Sequence, residues 1–129
     1  MDKNEELRRW QAAQESHQAA QQALLQGFCA TSASRSYYAC FQAMWVAVGD
    51  PPLRLWKHHG LMQAFCRGQW ADPVLLPTSL ALLYKRLLVL YDLLLDADYR
   101  ALPVESAKAQ TGLDTVAEIC LLIPRHKTL

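Results

Sequence analysis

The seventeen residues from Ser79 to Leu95 include nine leucines with Val89, Tyr84 and Tyr91, and no glycine or proline. No other segment constrains the fold as much. Leu80, Leu83, Leu87, Leu90 and Leu94 recur at alternating steps of three and four, the spacing of one helix face. Leu82, Leu88, Val89, Leu93 and Leu95 cover much of the remainder, so this helix is predicted to bury two sides. It can do so against a second subunit or by passing through the middle of its own bundle. The first is the simpler solution and predicts a homodimer that buries part of this helix and of the second one. Lys85, Arg86 and Asp92 interrupt the run, which argues against a membrane span.

Leucine supplies 22 of the 129 positions against 5 Gly and 6 Pro, a bias toward helices. Five are predicted. The first runs from about Lys3 to Gln26, opened by Asp2 with Glu5 in capping-box spacing and closed by Gly27. Trp10, Ala13, His17, Ala20 and Leu24 form its narrow apolar stripe. A second begins among Thr31, Ser32 and Ser34 as caps and ends before Gly49-Asp50-Pro51-Pro52. A third spans His58 to Gly68 and a fourth begins near Thr78 or Ser79. A fifth spans Glu105 to Leu122, with Pro124 as its stop and a short flexible tail from about 124. The expected fold class is all-α, in one domain over residues 1–129.

With 13 Lys and Arg against 12 Asp and Glu, the net charge is +1. No bulk field draws the chain to nucleic acid or anionic lipid, so no DNA or membrane partner is expected and any RNA or nucleotide contact must be local. Cys29, Cys40, Cys66 and Cys120 form no CxxC pair, and the charged N-terminus has no signal-like apolar core. Together these predict reduced thiols and a cytoplasmic protein. The chain has no glycine-rich phosphate loop, no GxSxG elbow and no HExxH, so an NTPase, an α/β-hydrolase and a zinc enzyme are set aside. No metal or cofactor is expected.

Two polar groups stand out in apolar surroundings. Arg35, Tyr38 and Gln42 share a ridge of the second helix at i, i+3 and i+7. A buried Arg35 would need an anion, either Asp98 or Asp96 as an internal clamp or a bound phosphate. Arg54, Lys57, His58 and His59 lie at the entry to the third helix, where positive charge opposes the dipole and calls for an anion nearby. They read either as a solvated basic turn or as a phosphoryl site with a histidine base. Leu61 and Phe65 fall three and seven residues after His58, which predicts His58 turned inward and His59 outward. His17 is expected to be a core histidine, and His126 carries no signal.

Ser34-Arg35-Ser36-Tyr37-Tyr38-Ala39-Cys40-Phe41 resembles the SRxYYAxF signature of the HEPN domain family, preceded by a Gly-aromatic turn at Gly27-Phe28. His58-His59-Gly60-Leu61 with Phe65 is similar to the family's H-x-x-L-x-x-x-F helix. Leu90-Tyr91-Asp92-Leu93 and Ala97-Asp98-Tyr99 resemble its L-Y-x-L…A-D-Y segment, which makes Tyr37, Asp98 and Tyr99 motif residues. The resemblance runs from about Leu7 to Leu122. It implies an all-α, up-and-down bundle of four or five helices that forms a homodimer, and a toxin partnered by a minimal nucleotidyltransferase antitoxin. It also implies a metal-independent ribonuclease marked by R-x(4–6)-H, here Arg54 to His59. His58 or His59 would then activate the 2′-hydroxyl, with Arg54 on the phosphate and Arg35, Lys57 and Tyr38 holding the RNA or nucleotide. Five residues of continuous helix would turn Arg54 and His59 about 140° apart, so the pair requires an intervening turn. Leu55 follows the Arg where the family usually has a polar residue. Gln42 and Leu94 stand where many relatives have His and Arg. The alternative is therefore a non-catalytic HEPN adaptor that binds a nucleotide or a protein.

Overall fold

The computed structural model describes residues 1–129 and is all-helical, without a strand. The helices are α1 (Lys3–Leu25), α2 (Cys29–Val48), α3 (His58–Cys66), α4 (Ala81–Asp98) and α5 (Ser106–His126), with one 3₁₀ turn at Pro77–Leu80. No helix is long and apolar enough to cross a membrane.

Asp2 caps α1 by accepting from the Glu5 backbone N–H at 2.8 Å. Only half of the capping box forms, because the Glu5 carboxylate turns away to Arg9 at 3.1 Å. At the other end Gly27 adopts φ +81. The Phe28 N–H reaches Ala23 O at 2.8 Å and the Gly27 N–H reaches Leu24 O at 3.0 Å, a Schellman pair. The tight turn lays α2 back along α1, whose buried residues are Ala13, Ala20 and Ala23. Small side chains let the two backbones approach closely.

The start of α2 corrects the sequence expectation. It begins at Cys29, and Ser32 and Ser34 lie inside it as buried residues, not as caps. Their hydroxyls bond other helices: Ser32 Oγ donates to Ala20 O at 2.8 Å and Ser34 Oγ to Asp98 at 3.0 Å. Helix α2 packs on every other α-helix and is almost wholly covered by its own chain. It offers little surface to a second subunit.

The α4 helix buries Leu83, Leu87, Leu90, Leu93 and Leu94, with Leu88, Leu95, Tyr84 and Tyr91 half-buried on its flanks. Its only exposed large apolar residues are Leu82 and Val89. The fold thus absorbs most of the second apolar side, and the case for a subunit contact narrows to those two residues. The Ser34–Asp98 bond and the Tyr37–Tyr91 contact set α2 and α4 antiparallel.

Pro124 does not end α5. The helix continues to His126, with Lys127 N–H bonded to Ile123 O at 3.0 Å. This close to the C-terminus, the missing proline N–H costs a single bond. The segment after Pro124 is tied down: Asp72 N–H donates to His126 O at 2.8 Å and Lys127 Nζ to Ala47 O at 3.3 Å.

A candidate site around the start of helix α3

His58 opens α3 among rings from three helices. Its centroid lies 5.4 Å from Tyr37, 5.2 Å from Phe41 and 4.9 Å from Tyr91, stacked on the last at 28°. Leu61 and Phe65 of the same helix are fully buried and fix the face that turns inward. Tyr37 Oη lies 2.6 Å from His58 Nδ1. Tyr37 is fully buried, and desolvation pushes its hydroxyl far above the usual phenol range, so it stays protonated. This hydroxyl has no other acceptor in reach, so it donates, and His58 Nδ1 accepts. The proton of the neutral imidazole then sits on Nε2. Desolvation, reinforced by the neighbouring His59, holds His58 below the usual imidazole value. Half-buried, neutral and anchored at Nδ1, the ring presents a donor at Nε2, whereas a general base there would need a lone pair.

His59 is turned outward as its position one step along the helix requires, and it is exposed with its ring edge-on to Tyr91 at 5.3 Å and 82°. Lys57 is the N-cap residue of α3 and contributes no side-chain cap. Arg54 lies in the irregular segment before α3, so the turn that an Arg54–His59 pair requires is present. Arg54 lines a shallow hollow with Asp50, Pro51, Pro52 and Leu53, and neither histidine lines it. Trp56 Nε1 anchors this segment by donating to Gly49 O at 2.8 Å.

The Arg35 clamp is a correction. Arg35 is exposed and forms no ion pair; its guanidinium lies 5.2 Å from the Tyr38 ring. Asp98 instead accepts from Ser34, and Asp96 pairs with Arg100 at 2.8 Å. Ser34 and Arg35 are about 100° apart around the helix, so the serine's inward direction sends the arginine out. A buried guanidinium holding a phosphate fails for the same reason. Tyr38 is half-buried with its ring edge-on to Tyr37 at 5.8 Å, and burial, with Tyr99 and Asp98 nearby, pushes its hydroxyl up. Tyr99 closes α4 and is exposed. His17 is half-buried, its imidazole held low by desolvation, and no protein group bonds it.

Two features escaped the sequence reading. Arg9 lies 3.6 Å over the Trp45 ring and donates to Gln42 Oε1 at 3.1 Å as well as to Glu5. Gln42 thus belongs to an α1–α2 bond, and Leu94 lies in the core. Only the Glu5–Arg9 spacing hinted at this. The second feature was visible all along: from Pro51 to Tyr91 the chain holds Arg54, Lys57, Arg67, Lys85 and Arg86 against one acid, Asp72. A net charge near zero hides that bias. Of the five, only Arg86 has an ion-pair partner, Glu118 at 2.6 Å. No protein-family model, curated protein or solved structure matches this chain.

Proposed function

We propose that this chain is an RNA-binding helical module of the HEPN type, acting beside a nucleotidyltransferase antitoxin, in which His58 joins α2, α3 and α4 and is not a base. The single observation that carries the RNA reading is the local charge. The stretch Pro51–Ala71 contains no acid, and its Arg54, Lys57, His59 and Arg67 are all exposed. Unpaired cations of this kind supply phosphate contacts, the sequence-independent share of nucleic-acid affinity. The motif resemblance supplies the toxin–antitoxin context. The test is fluorescence anisotropy of a labelled single-stranded RNA with the full chain at several salt concentrations. Binding that weakens with salt, and that weakens again in Arg54→Ala/Lys57→Ala, is expected. No binding at low salt would overturn the reading and leave the adaptor for a nucleotide or protein.

A second reading, the metal-independent ribonuclease, draws on the exposed imidazole of His59 five residues after Arg54. It predicts RNA cleavage in EDTA that yields cyclic phosphate ends and is abolished by His59→Ala, while His17→Ala cleaves normally. A small nucleotidyltransferase encoded beside this chain would favour the toxin context of both readings.

A further inference from the structure

The exposed stripe of α3 and its C-cap is His59, Gln63 and Arg67, at i, i+4 and i+8, and it runs antiparallel to α4. His59 meets Tyr91, whereas Gln63, Cys66 and Arg67 face Leu80, Ala81, Tyr84 and Lys85 across a groove of about 490 Å³. Arg67 and Lys85 are both exposed, neither has an ion-pair partner, and no carboxylate lines the groove. Tyr84 is half-buried between them. Tyr91, by contrast, already carries the stacked His58 ring, with His59 and Tyr37 also against it.

We infer that the α3–α4 groove holds single-stranded RNA, with one base stacked on Tyr84 and the flanking phosphates on Arg67 and Lys85. The inference rests on the RNA-binding reading above and names the place where that reading is realised. Charge decides the occupant: two unpaired cations without a competing acid match a polyanion. The apolar lining favours RNA over an acidic peptide. An amphipathic helix needs a long stripe of anchors at i, i+3, i+4 and i+7 to fill. Here Leu80 and Cys66 are buried and Tyr84 is the one aromatic residue of the lining, so no such stripe is exposed and the ring available is one on which a base can stack. Base–aromatic stacking tolerates any base, so the site would not select sequence.

The test uses the full chain and a labelled uridine octamer in fluorescence anisotropy between 50 and 200 mM salt. In Arg67→Ala/Lys85→Ala, affinity at low salt is expected to fall about tenfold or more. The slope of log affinity against log salt should become shallower by about 1.4, from roughly 0.7 for each lost contact with a single strand. Tyr84→Leu should lose at least about fivefold, while Tyr84→Phe, which keeps the stacking face, binds as the parent does. Both cations are exposed, so helical content by circular dichroism should not change. If the parent binds RNA and the double variant matches it in affinity and slope, the groove assignment is overturned and the RNA-binding reading stands. If the parent binds no RNA, that reading falls with it. Binding of an acidic amphipathic peptide, but not of RNA, would also overturn the assignment.

Discussion

Replacing Tyr37 with Phe removes one hydroxyl and nothing else from the best-defined polar contact in the bundle. That hydroxyl donates to His58 Nδ1 at 2.6 Å from a fully buried residue. A neutral hydrogen bond contributes about 0.5–1.5 kcal/mol net, and the acceptor left behind adds a desolvation cost. His58 is only half-buried, so water can recover part of that cost. The expected destabilisation is about 1–2 kcal/mol, a Tm lower by roughly 3–8 °C for a domain of this size. The control is Tyr38→Phe. The Tyr38 hydroxyl bonds no protein group, so this change should stay within about 0.5 kcal/mol. A double-mutant cycle of Tyr37→Phe with His58→Ala should show a coupling of about 1 kcal/mol. Nitrogen NMR of the imidazole at pH 7.5 reads the proton directly and should find Nδ1 bare and Nε2 protonated. The reasoning is refuted if Tyr37→Phe is as mild as Tyr38→Phe and His58 carries its proton on Nδ1. Nε2 would then hold a lone pair, and His58 would return as a base.

Acid should weaken the fold before any carboxylate titrates. His58 and His17 both have imidazoles held below the ordinary value, chiefly by desolvation. The unfolded chain therefore binds more protons, and stability falls as pH drops below about 6.5 toward the folded values. Urea midpoints at pH 7.5 and 5.5 should show it, and a midpoint that holds or rises at the lower pH contradicts the assignment. Gly68 sits at φ +76, where an added Cβ would overlap the Leu75 carbonyl oxygen. Gly68→Ala combines a left-handed conformation costing about 1–2 kcal/mol with a backbone clash, so thermal unfolding should shift down markedly, and an unchanged Tm would refute the account. If the resemblance carries its dimer to this chain, Leu82 and Val89 are the contact. Light scattering at micromolar concentration should then report a dimer that Leu82→Glu/Val89→Glu splits, and a monomeric parent would end that proposal.

Features decided within one turn of chain could be read directly. The Asp2 cap and the Gly27 turn depend on backbone groups no more than five residues away, so local chemistry was enough. His58 inward and His59 outward followed from Leu61 and Phe65 on the same short helix. Features decided across helices could not be read this way. Ser32 and Ser34 have good cap side chains, but their partners, Ala20 and Asp98, are 12 and 64 residues away. Arg35 failed by a single helical step, because both it and Ser34 could face Asp98 until the packing of Tyr37 and Ser36 fixed the rotation of α2.

The chemistry of the site was the hardest to read for the same reason. A histidine's type and spacing make it a possible base, but its tautomer depends on what bonds the other nitrogen. For His58 that group is Tyr37, 21 residues earlier, which the motif pattern includes without showing that the two side chains touch. The exposed cations show the opposite case. Arg67 and Lys85 lie eighteen positions apart and belong to no motif, and the chain-wide balance of thirteen cations to twelve acids conceals them. They become one site only when α3 lies antiparallel to α4 and no carboxylate enters the groove. The proposed anionic ligand therefore rests on the local charge over Pro51–Tyr91 and not on the net charge, whose compensating acids lie almost entirely outside that segment.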